Sequence, residues 1–270
     1  MYKLVALDID GTLLNKDRAI SARTQKAIKA LPKSVKVILI SSRMPKAMRY
    51  LQKELDILEM PLIAYNGGLI IANNKVISST GIGFDTFKRL LELNLDLDLH
   101  LSLYHNDEWY APQVDYWTQR EQHNTQSIAE LKSNSVVLEH WKTENKAPHK
   151  IMCMGEENQV NTFYRLLQDN LNDVIHLYRS KGTYIEISPK STDKHRGLKQ
   201  LLNTMYPSIT LEEVVAFGDN YNDIDMIKHV GLGVAMGNAK PELKNIADVV
   251  TESNINDGVA IQLEQLFDLR

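Results

Sequence analysis

The chain has 270 residues, of which 43% are hydrophobic and 24% are charged, and both values are ordinary for a globular protein. A formal net charge of −3, from 31 basic and 34 acidic residues, argues against nucleic acid as a main partner, because no strongly basic segment stands out. No apolar run approaches the ~20 residues of a membrane span, and no signal peptide is recognisable, so we expect a cytoplasmic protein without a membrane partner.

Short apolar runs alternate with segments of helical period in the first and last parts of the chain. The predicted elements are, in chain order, a strand at 2–7, a helix at 21–31 with Ser21 as N-cap, a strand at 35–40, a helix at 45–55 with Pro45 in its first turn, a strand at 62–65, a helix at 194–205, a strand at 214–217, a helix at 224–228 and strands at 233–236 and 248–251. This alternation predicts an α/β fold with a Rossmann-like parallel sheet covered on both faces.

The middle of the chain has a different character. Its polar content rises, its strands look amphipathic, and helices are predicted at 85–93 and 158–171. Glycine and proline mark the segments 81–83 and 188–190, which we expect to be the two crossing linkers. The predicted division is therefore a core domain at 1–82 and 189–270, with an inserted α+β domain at 83–188.

Two sets of residues in the inserted domain have ordinary structural explanations. Cys153 is the one cysteine of the chain, which excludes an internal disulfide and fits a reducing compartment; we expect it to pack in a core strand. A set of aromatic residues could stack on a ligand ring, but core packing or a subunit interface is favoured. The aromatic residues are Tyr104, Trp109, Tyr110, Tyr116 and Trp117.

Short polar side chains and glycines follow four of the predicted core strands. The four segments are Asp8-Ile9-Asp10-Gly11-Thr12, Ser41-Ser42-Arg43, Asn66-Gly67-Gly68 and Gly218-Asp219-Asn220-Tyr221-Asn222-Asp223. Loops are polar in general, so one such segment alone would mean little. Because the carboxyl ends of parallel strands share one edge, where ligands bind, the four segments together predict a single site.

Three acids, Asp8, Asp10 and Asp219, would meet at this edge and can coexist if a divalent cation lies between them. An oxygen-only donor set suits Mg²⁺. Asp8 could attack phosphorus to give an aspartyl-phosphate. Asp10, two residues on, could protonate the leaving oxygen and then deprotonate the attacking water.

A phosphoryl group at this edge would also need donors and a fixed positive charge. Ser41 and the backbone N–H groups near Ser42 offer donors, and the helix start at Pro45 adds a favourable dipole. Lys194, at the start of the helix that returns the chain from the insert, is the candidate for the positive charge.

The chain resembles the phosphatases of the haloacid dehalogenase superfamily, of the Cof type with an inserted α/β cap of type C2B. The resemblance covers the whole length and rests on Asp8–Leu13, Ser41, Lys194 and Gly218–Asp223. It implies a Mg²⁺-dependent phosphatase that acts on small phosphorylated metabolites through an aspartyl-phosphate. The cap is implied to close over the substrate and to select the leaving group.

The resemblance implies a role for each matching residue. Asp8 is implied to be the nucleophile and a metal ligand, Asp10 the acid/base that also gives its backbone carbonyl to the metal, and Asp219 a further metal ligand. The other implied residues are Ile9, Ser41, Ser42, Arg43, Asn66, Gly67, Lys194 and Asn222, which bind phosphate or substrate, and Asn220 and Asp223, which orient the metal site or Lys194.

The sequence departs from the family pattern in two places. Ser42 stands where glycine is usual before Arg43, and His195 and Arg196 separate Lys194 from a glycine that usually follows at once. We expect His195 itself to be solvated.

Sugar phosphates are the favoured substrates, while pyridoxal phosphate and flavin mononucleotide remain open. A sugar phosphomutase of similar architecture and a non-catalytic sugar-phosphate sensor are the alternatives. Either a monomer or a small homo-oligomer is compatible with the sequence.

Overall fold

The computed structural model describes residues 2–269, without the side chain of Ser180. Within these residues, no helix is both long enough and apolar enough to cross a membrane. The longest helix has 15 residues and presents a mixed polar and apolar surface.

Strands alternate with helices in much of the first and last parts of the chain, as predicted. In chain order they are β1 Leu4–Leu7, β2 Lys36–Ile40, β3 Leu62–Ala64, β4 Leu69–Ala72, β5 Lys75–Ser79, β6 His100–His105, β7 Glu108–Ala111, β8 Glu130–Leu131, β9 Lys150–Met154, β10 Ile175–Lys181, β11 Tyr184–Pro189, β12 Val214–Gly218, β13 Leu232–Ala235 and β14 Val249–Val250.

The α-helices include all those predicted, within one or two residues at most ends. They are α1 Ala22–Lys29, α2 Lys46–Glu54, α3 Phe84–Leu93, α4 Tyr116–Thr125, α5 Asn134–Thr143, α6 Glu157–Leu171, α7 Lys194–Met205, α8 Ile224–His229, α9 Pro241–Ile246 and α10 Gly258–Phe267. The Ser21 side chain caps α1 by accepting from the Thr24 N–H, as predicted from the sequence.

The first sheet is parallel over six of its strands. In the described part of the chain its order is β14-β13-β12-β1-β2-β3-β4-β5, and all neighbours from β14 to β3 run parallel. Strand β4 pairs antiparallel with β3 and extends this edge, which the sequence analysis did not anticipate. Asn73 and Asn74 make the turn after β4 with φ of 50° and 58°, a backbone that two-residue hairpins require.

The second sheet has the order β10-β11-β9-β6-β7-β8 among the described residues. Along its strands apolar and polar side chains alternate, so that Leu101 and Leu103 of β6 share one face while Ser102 faces the other way. The apolar face packs against α3, α5 and α6, and Trp141 and Phe163 are fully buried in that core.

The chain divides into two compact units. The first comprises Met1–Ser42, Met48–Ser78 and Asp193–Arg270, and the second comprises Arg43–Ala47 and Ser79–Thr192. Cys153 lies fully buried on β9 in the core of the second unit, as expected, and burial raises the pKa of its thiol.

The aromatic residues singled out in the second unit do not share one environment. Tyr104, Trp109 and Tyr110 are buried, and the rings of Tyr104 and Trp109 stack with centroids 5.5 Å apart. Tyr116, by contrast, is 68% exposed.

Candidate active site

The carboxyl ends of β1 and β12 are neighbours, which places the segments that follow them side by side. The register pairs Leu7 with Phe217, and the Asp8 N–H donates to the Phe217 carbonyl at 3.2 Å. Parallel pairing therefore brings Asp8, the first residue after β1, next to Asp219, the first residue after β12.

Lys194 lies between two carboxylates in the interior of the first unit. Its Nζ donates to Asp8 Oδ1 at 2.5 Å and to Asp223 Oδ1 at 2.6 Å. The side chains of Lys194 and Asp223 are completely buried, and that of Asp8 is 7% exposed. Burying charges is expensive unless they are paired, so this ion triad is a specific feature of the fold.

The position of Lys194 depends on a close approach between α7 and the turn after β3. Asp193 caps α7 by accepting from the Arg196 N–H at 2.7 Å. Gly67, with φ of 96°, has no room for a side chain, because a Cβ there would lie 2.3 Å from the Asp193 carbonyl oxygen. A Cβ on Gly197 would lie 2.7 Å from the Gly67 Cα. The paired glycines therefore let the start of α7 pack directly on this turn.

The expectation that His195 is solvated is wrong. Its ring packs 4.6 Å from that of His229, measured between centroids, and the residue is only partly exposed. Burial and the neighbouring His229 lower the pKa of His195. Helix α7 starts at Lys194 all the same, so His195 and Arg196 do not disturb its first turn.

Asp223 also organises the turn that carries Asp219. Its Oδ2 accepts from the backbone N–H groups of Asp219 and Asn220, both at 3.0 Å. The Asn220 side chain accepts in turn from the Tyr221 N–H at 2.9 Å. One carboxylate thus bonds to Lys194 through one oxygen and fixes the backbone of the Asp219 turn through the other.

Three carboxylates, those of Asp8, Asp219 and Asp223, can hold a metal ion. One oxygen from each lies within 4.8 Å of the others. Gly11 has φ of 87°, and a Cβ there would lie 2.3 Å from Asp219 Oδ2, so the chain passes closely over this group. Thr12 Oγ1 also donates to Asp219 Oδ1, at 3.4 Å. The all-oxygen donor set fits a hard divalent cation.

The electrostatics of the cluster favour a further positive charge. Burial raises the pKa of Asp8 to about 7; Lys194 opposes this shift, and Asp223 and Asp10 add to it. Burial, together with Asp8 and Asp223, raises the pKa of Asp219 to about 8. Burial alone would lower the pKa of Lys194, but Asp223 and Asp8 outweigh it and raise that pKa. One lysine does not compensate these acids, whereas a cation among them would.

Asp10 does not contribute its carboxylate to this cluster. Its side chain is 43% exposed, and its Oδ1 accepts from Arg18 Nη2 at 3.0 Å. The structure thus separates the two acids of the opening motif: Asp8 faces Lys194 in the interior, and Asp10 faces Arg18 at the surface.

The residues after β1 and β2 lie as follows. Ile9 is buried, and its carbonyl accepts from the Leu14 N–H at 3.0 Å. Ser41 is buried; its N–H donates to the Ile63 carbonyl, and its own carbonyl accepts from the Asn66 N–H. Ser42 follows and is partly exposed. Arg43 is grouped with the second unit, where its Nη1 donates to the Ala47 carbonyl at 3.2 Å.

Asn66 and Asn222 meet, although they are far apart in sequence. Asn222 Nδ2 donates to Asn66 Oδ1 at 3.0 Å. Asn66 is buried and adopts a left-handed backbone with φ of 53°, which asparagine tolerates better than most residues. The contact joins the turn after β3 to the turn after β12.

The sequence analysis missed two asparagines that brace the loop after β1. Asn238 Nδ2 donates to the Gly11 carbonyl at 2.8 Å, and Asn254 Nδ2 donates to the Leu14 carbonyl at 2.7 Å. Asn238 follows β13, a parallel strand of the same sheet, so the rule that drew attention to the other strand ends would have found it.

Comparisons with known proteins place the chain in a family. A family profile described as haloacid dehalogenase-like hydrolase matches residues 5–263. A protein of Haemophilus influenzae with a provisional phosphatase name is 35% identical, over 99% of both chains. A Bacillus subtilis protein named 5-amino-6-(5-phospho-D-ribitylamino)uracil phosphatase is 33% identical, over 96% of this chain and 93% of its own. A solved structure of a haloacid dehalogenase-like hydrolase from Bacteroides thetaiotaomicron is 29% identical, with a TM-score of 0.88 over 99% of this chain and 100% of that one.

Proposed function

We propose that this chain, which belongs to the haloacid dehalogenase-like hydrolase family and is a phosphatase, hydrolyses small phosphorylated metabolites with Mg²⁺ through an aspartyl-phosphate on Asp8. The observation that carries the proposal is the buried contact of Asp8 with Lys194, beside two more carboxylates at the same sheet edge. The proposed nucleophile, the proposed cation and the proposed metal ligands all belong to one unit, which supports the proposal.

Asp8 is the proposed nucleophile. One of its carboxylate oxygens forms a bond to phosphorus while the bond from phosphorus to the leaving oxygen breaks. Water then attacks the same phosphorus, the bond to Asp8 breaks, and inorganic phosphate and the free carboxylate are released. Both half-reactions need the Asp8 side chain fixed, which its burial and its contact with Lys194 support.

Asp10 is the proposed acid and base. It gives a proton to the leaving oxygen in the first half-reaction and takes one from the attacking water in the second. Its exposed carboxylate, two residues beyond Asp8, suits exchange of protons with an incoming ester and with water. A binding protein without turnover would need no such group.

The remaining residues hold the phosphoryl group. Lys194 offsets its negative charge, while Ser41 and Asn222 are the proposed hydrogen-bond donors. Ile9, Ser42, Arg43, Asn66 and Gly67 complete the proposed set of substrate-binding residues. The support is that Ser41, Asn66 and Asn222 already form one connected group, through the backbone of Ser41 and the side chain of Asn222.

Asp8, Asp219 and Asp223 are the side chains that would hold Mg²⁺, with the Asp10 carbonyl as a further proposed ligand. When bound, the ion supplies positive charge that neutralises the clustered carboxylates and the phosphoryl oxygens. Asn220 and Asp223 orient this group, because Asp223 also fixes the backbone of the turn.

Sugar phosphates are the proposed substrates, with residues 83–188 as the inserted cap that selects the leaving group and 1–82 and 189–270 as the catalytic core. The printed name of the Bacillus subtilis relative adds phosphorylated ribityl compounds to the panel worth testing. The proposal places the enzyme in the cytoplasm as a monomer or small homo-oligomer, without a nucleic-acid or membrane partner.

The first test is hydrolysis of p-nitrophenyl phosphate by the purified protein. We expect turnover with Mg²⁺ and its loss both on chelation and in Asp8→Asn. The matched control is Asp17→Asn, which changes an exposed acid of the same loop and should keep its turnover. Turnover that survives both chelation and Asp8→Asn would refute the mechanism.

A panel of phosphorylated metabolites then separates the alternatives. Release of phosphate from a sugar monophosphate supports the phosphatase. A requirement for a sugar bisphosphate would indicate a phosphomutase, and binding without turnover would indicate a sensor.

A further inference from the structure

Arg18 contacts the carboxylate of Asp10, and this contact is too exposed to contribute much to stability. The two side chains are 36% and 43% exposed, and exposed ion pairs contribute little to the free energy of unfolding. The loop that carries Arg18 nevertheless has a well-defined backbone, which places the Arg18 side chain against this carboxylate.

The loop is a tight turn organised by Asn15. The Asn15 side-chain oxygen accepts from the N–H groups of Asp17 at 2.9 Å and Ala19 at 3.1 Å. Its backbone N–H donates to the Ala19 carbonyl, and its carbonyl accepts from the Arg18 N–H, both at 3.0 Å. Four hydrogen bonds therefore fix the backbone on both sides of Arg18.

Arg18 occupies the left-handed backbone region, with φ of 58°. Among the described residues, nine of the twelve non-glycine residues with positive φ are Asn or Asp, and Arg18 is one of three exceptions. A long side chain is disfavoured in this region, where asparagine or glycine would fit with less strain. The strain indicates that the Arg18 side chain itself is used.

Side-chain hydrogen bonds also fix the first part of the loop, from Gly11 to Leu14. Asn238 and Asn254 donate to the carbonyls of Gly11 and Leu14, and the Asn254 N–H donates to Asn238 Oδ1 at 2.9 Å. The segment that carries both Asp10 and Arg18 is therefore fixed relative to the end of β1.

We propose that Arg18 is a positioning residue for Asp10. Its guanidinium fixes the orientation from which the Asp10 carboxylate reaches the leaving oxygen and the attacking water. This inference rests on the proposed function, since it assigns Arg18 a part in the same reaction. Misplacing a proton-transfer group by about 1 Å is enough to slow a reaction markedly, so the effect is expected in kcat and not in KM.

The direct test compares Arg18→Gln with Arg23→Gln. Arg23 forms a similarly exposed ion pair, with Glu264, and serves as the matched control. With an alkyl phosphate, whose leaving oxygen must be protonated, we expect Arg18→Gln to lower the first-turnover rate constant about tenfold, a part of what a general acid supplies. With p-nitrophenyl phosphate, which leaves as a stable anion, the same rate constant should change less than twofold. Arg18→Lys should recover part of the loss.

Two further variants separate positioning from a structural role. Arg18→Asn relieves the left-handed strain, so its melting temperature should be no lower than that of the parent protein while its rate still falls. In an Asp10→Asn background, Arg18→Gln should cause no further loss, because residues that act through one group are not additive.

Each contrary result has a definite meaning. A rise in KM alone would make Arg18 a substrate-binding residue, and faster turnover in Arg18→Gln would mean that the ion pair holds Asp10 away from the reaction. An additive loss of rate in the double variant of Asp10 and Arg18 would mean that the two residues act independently. Each of these three results overturns the inference. Full activity of Asp10→Asn would instead refute the proposed function. If Asp10→Asn is impaired and Arg18→Gln behaves as Arg23→Gln does, the inference alone fails.

Discussion

At the scale of single residues, the site is governed by the cost of burying like charges. Three carboxylates and one ammonium group lie within one small volume, and in the described part of the chain Lys194 is the cation paired with them. Removing one partner of a buried ion pair costs more than the pair itself contributes, because the remaining charge is left without compensation. Lys194 therefore serves the fold as well as the proposed chemistry.

Replacing Lys194 by methionine should destabilise the protein by about 3–5 kcal/mol. The loss should be smaller at pH 5 than at pH 8, because Asp8, with a pKa of about 7, is protonated and neutral at the lower pH. Urea unfolding at the two pH values measures this, with the exposed Lys199→Met on the same helix as control. Equal losses at both pH values would show that charge is not the cause.

Stabilisation by Mg²⁺ should grow as the pH rises from about 5.5 to 8. The raised pKa values of Asp8 and Asp219, about 7 and 8, mean that the folded protein without metal holds protons that the unfolded chain has lost. Its own stability therefore falls with rising pH over this range, while a cation meets less competition from protons. Melting temperatures with and without Mg²⁺ give the increment at each pH, and Asp219→Asn should abolish it. An increment independent of pH would contradict the assignment.

At the scale of elements, the sequence predicted the bounds of α7 correctly but did not reveal which residues its first turn packs against. The helical period of the sequence predicted a helix at 194–205, which is what forms. The reason for Gly67 lies in a contact with a segment more than a hundred residues away. No local pattern reports such a contact.

Gly67→Ala should lower the free energy of unfolding by about 2–4 kcal/mol. The alanine would have to adopt a left-handed backbone, and its Cβ would clash with the Asp193 carbonyl. It should also lower activity, because relief of the conflict moves the start of α7 and with it Lys194. Gly83→Ala is the matched control, since a Cβ there meets nothing within 4 Å. Chemical denaturation and p-nitrophenyl phosphate turnover measure both effects. A Gly67→Ala protein as stable and active as Gly83→Ala would show that this close approach is not needed.

Physical reasons explain which other structural features could be predicted from the sequence and which could not. The parallel strands were predictable because their continuous apolar runs require burial on both faces. The hairpin of β4 and β5 was missed, although Asn73 and Asn74 carry the signal of a two-residue turn. The pairing of Asp10 with Arg18 was beyond reach, because it depends on the direction of two exposed side chains on a folded loop.

At the scale of the whole molecule, the chain forms two units with separate apolar cores. The first unit contains all three carboxylates that can hold a metal ion, and the second is built around α3, α5, α6 and its own sheet. A ligand that binds only the folded form adds stability to the part that holds it.

Mg²⁺ should therefore slow amide hydrogen exchange most in β1 and β12 of the first unit, and less in β9 and β11 of the second. Local opening reactions differ in free energy across a structure, and exchange resolves them strand by strand. Mass spectrometry of exchanged peptides gives the comparison. Equal slowing in both units would mean that they open together.

Cys153 makes the second unit separately observable. It is the one thiol in the sequence, and its burial keeps it from reacting with a reagent as long as the second unit stays folded. The rate at which a thiol dye reacts with the native protein thus measures how often the second unit opens, without an engineered label and without a signal from the first unit.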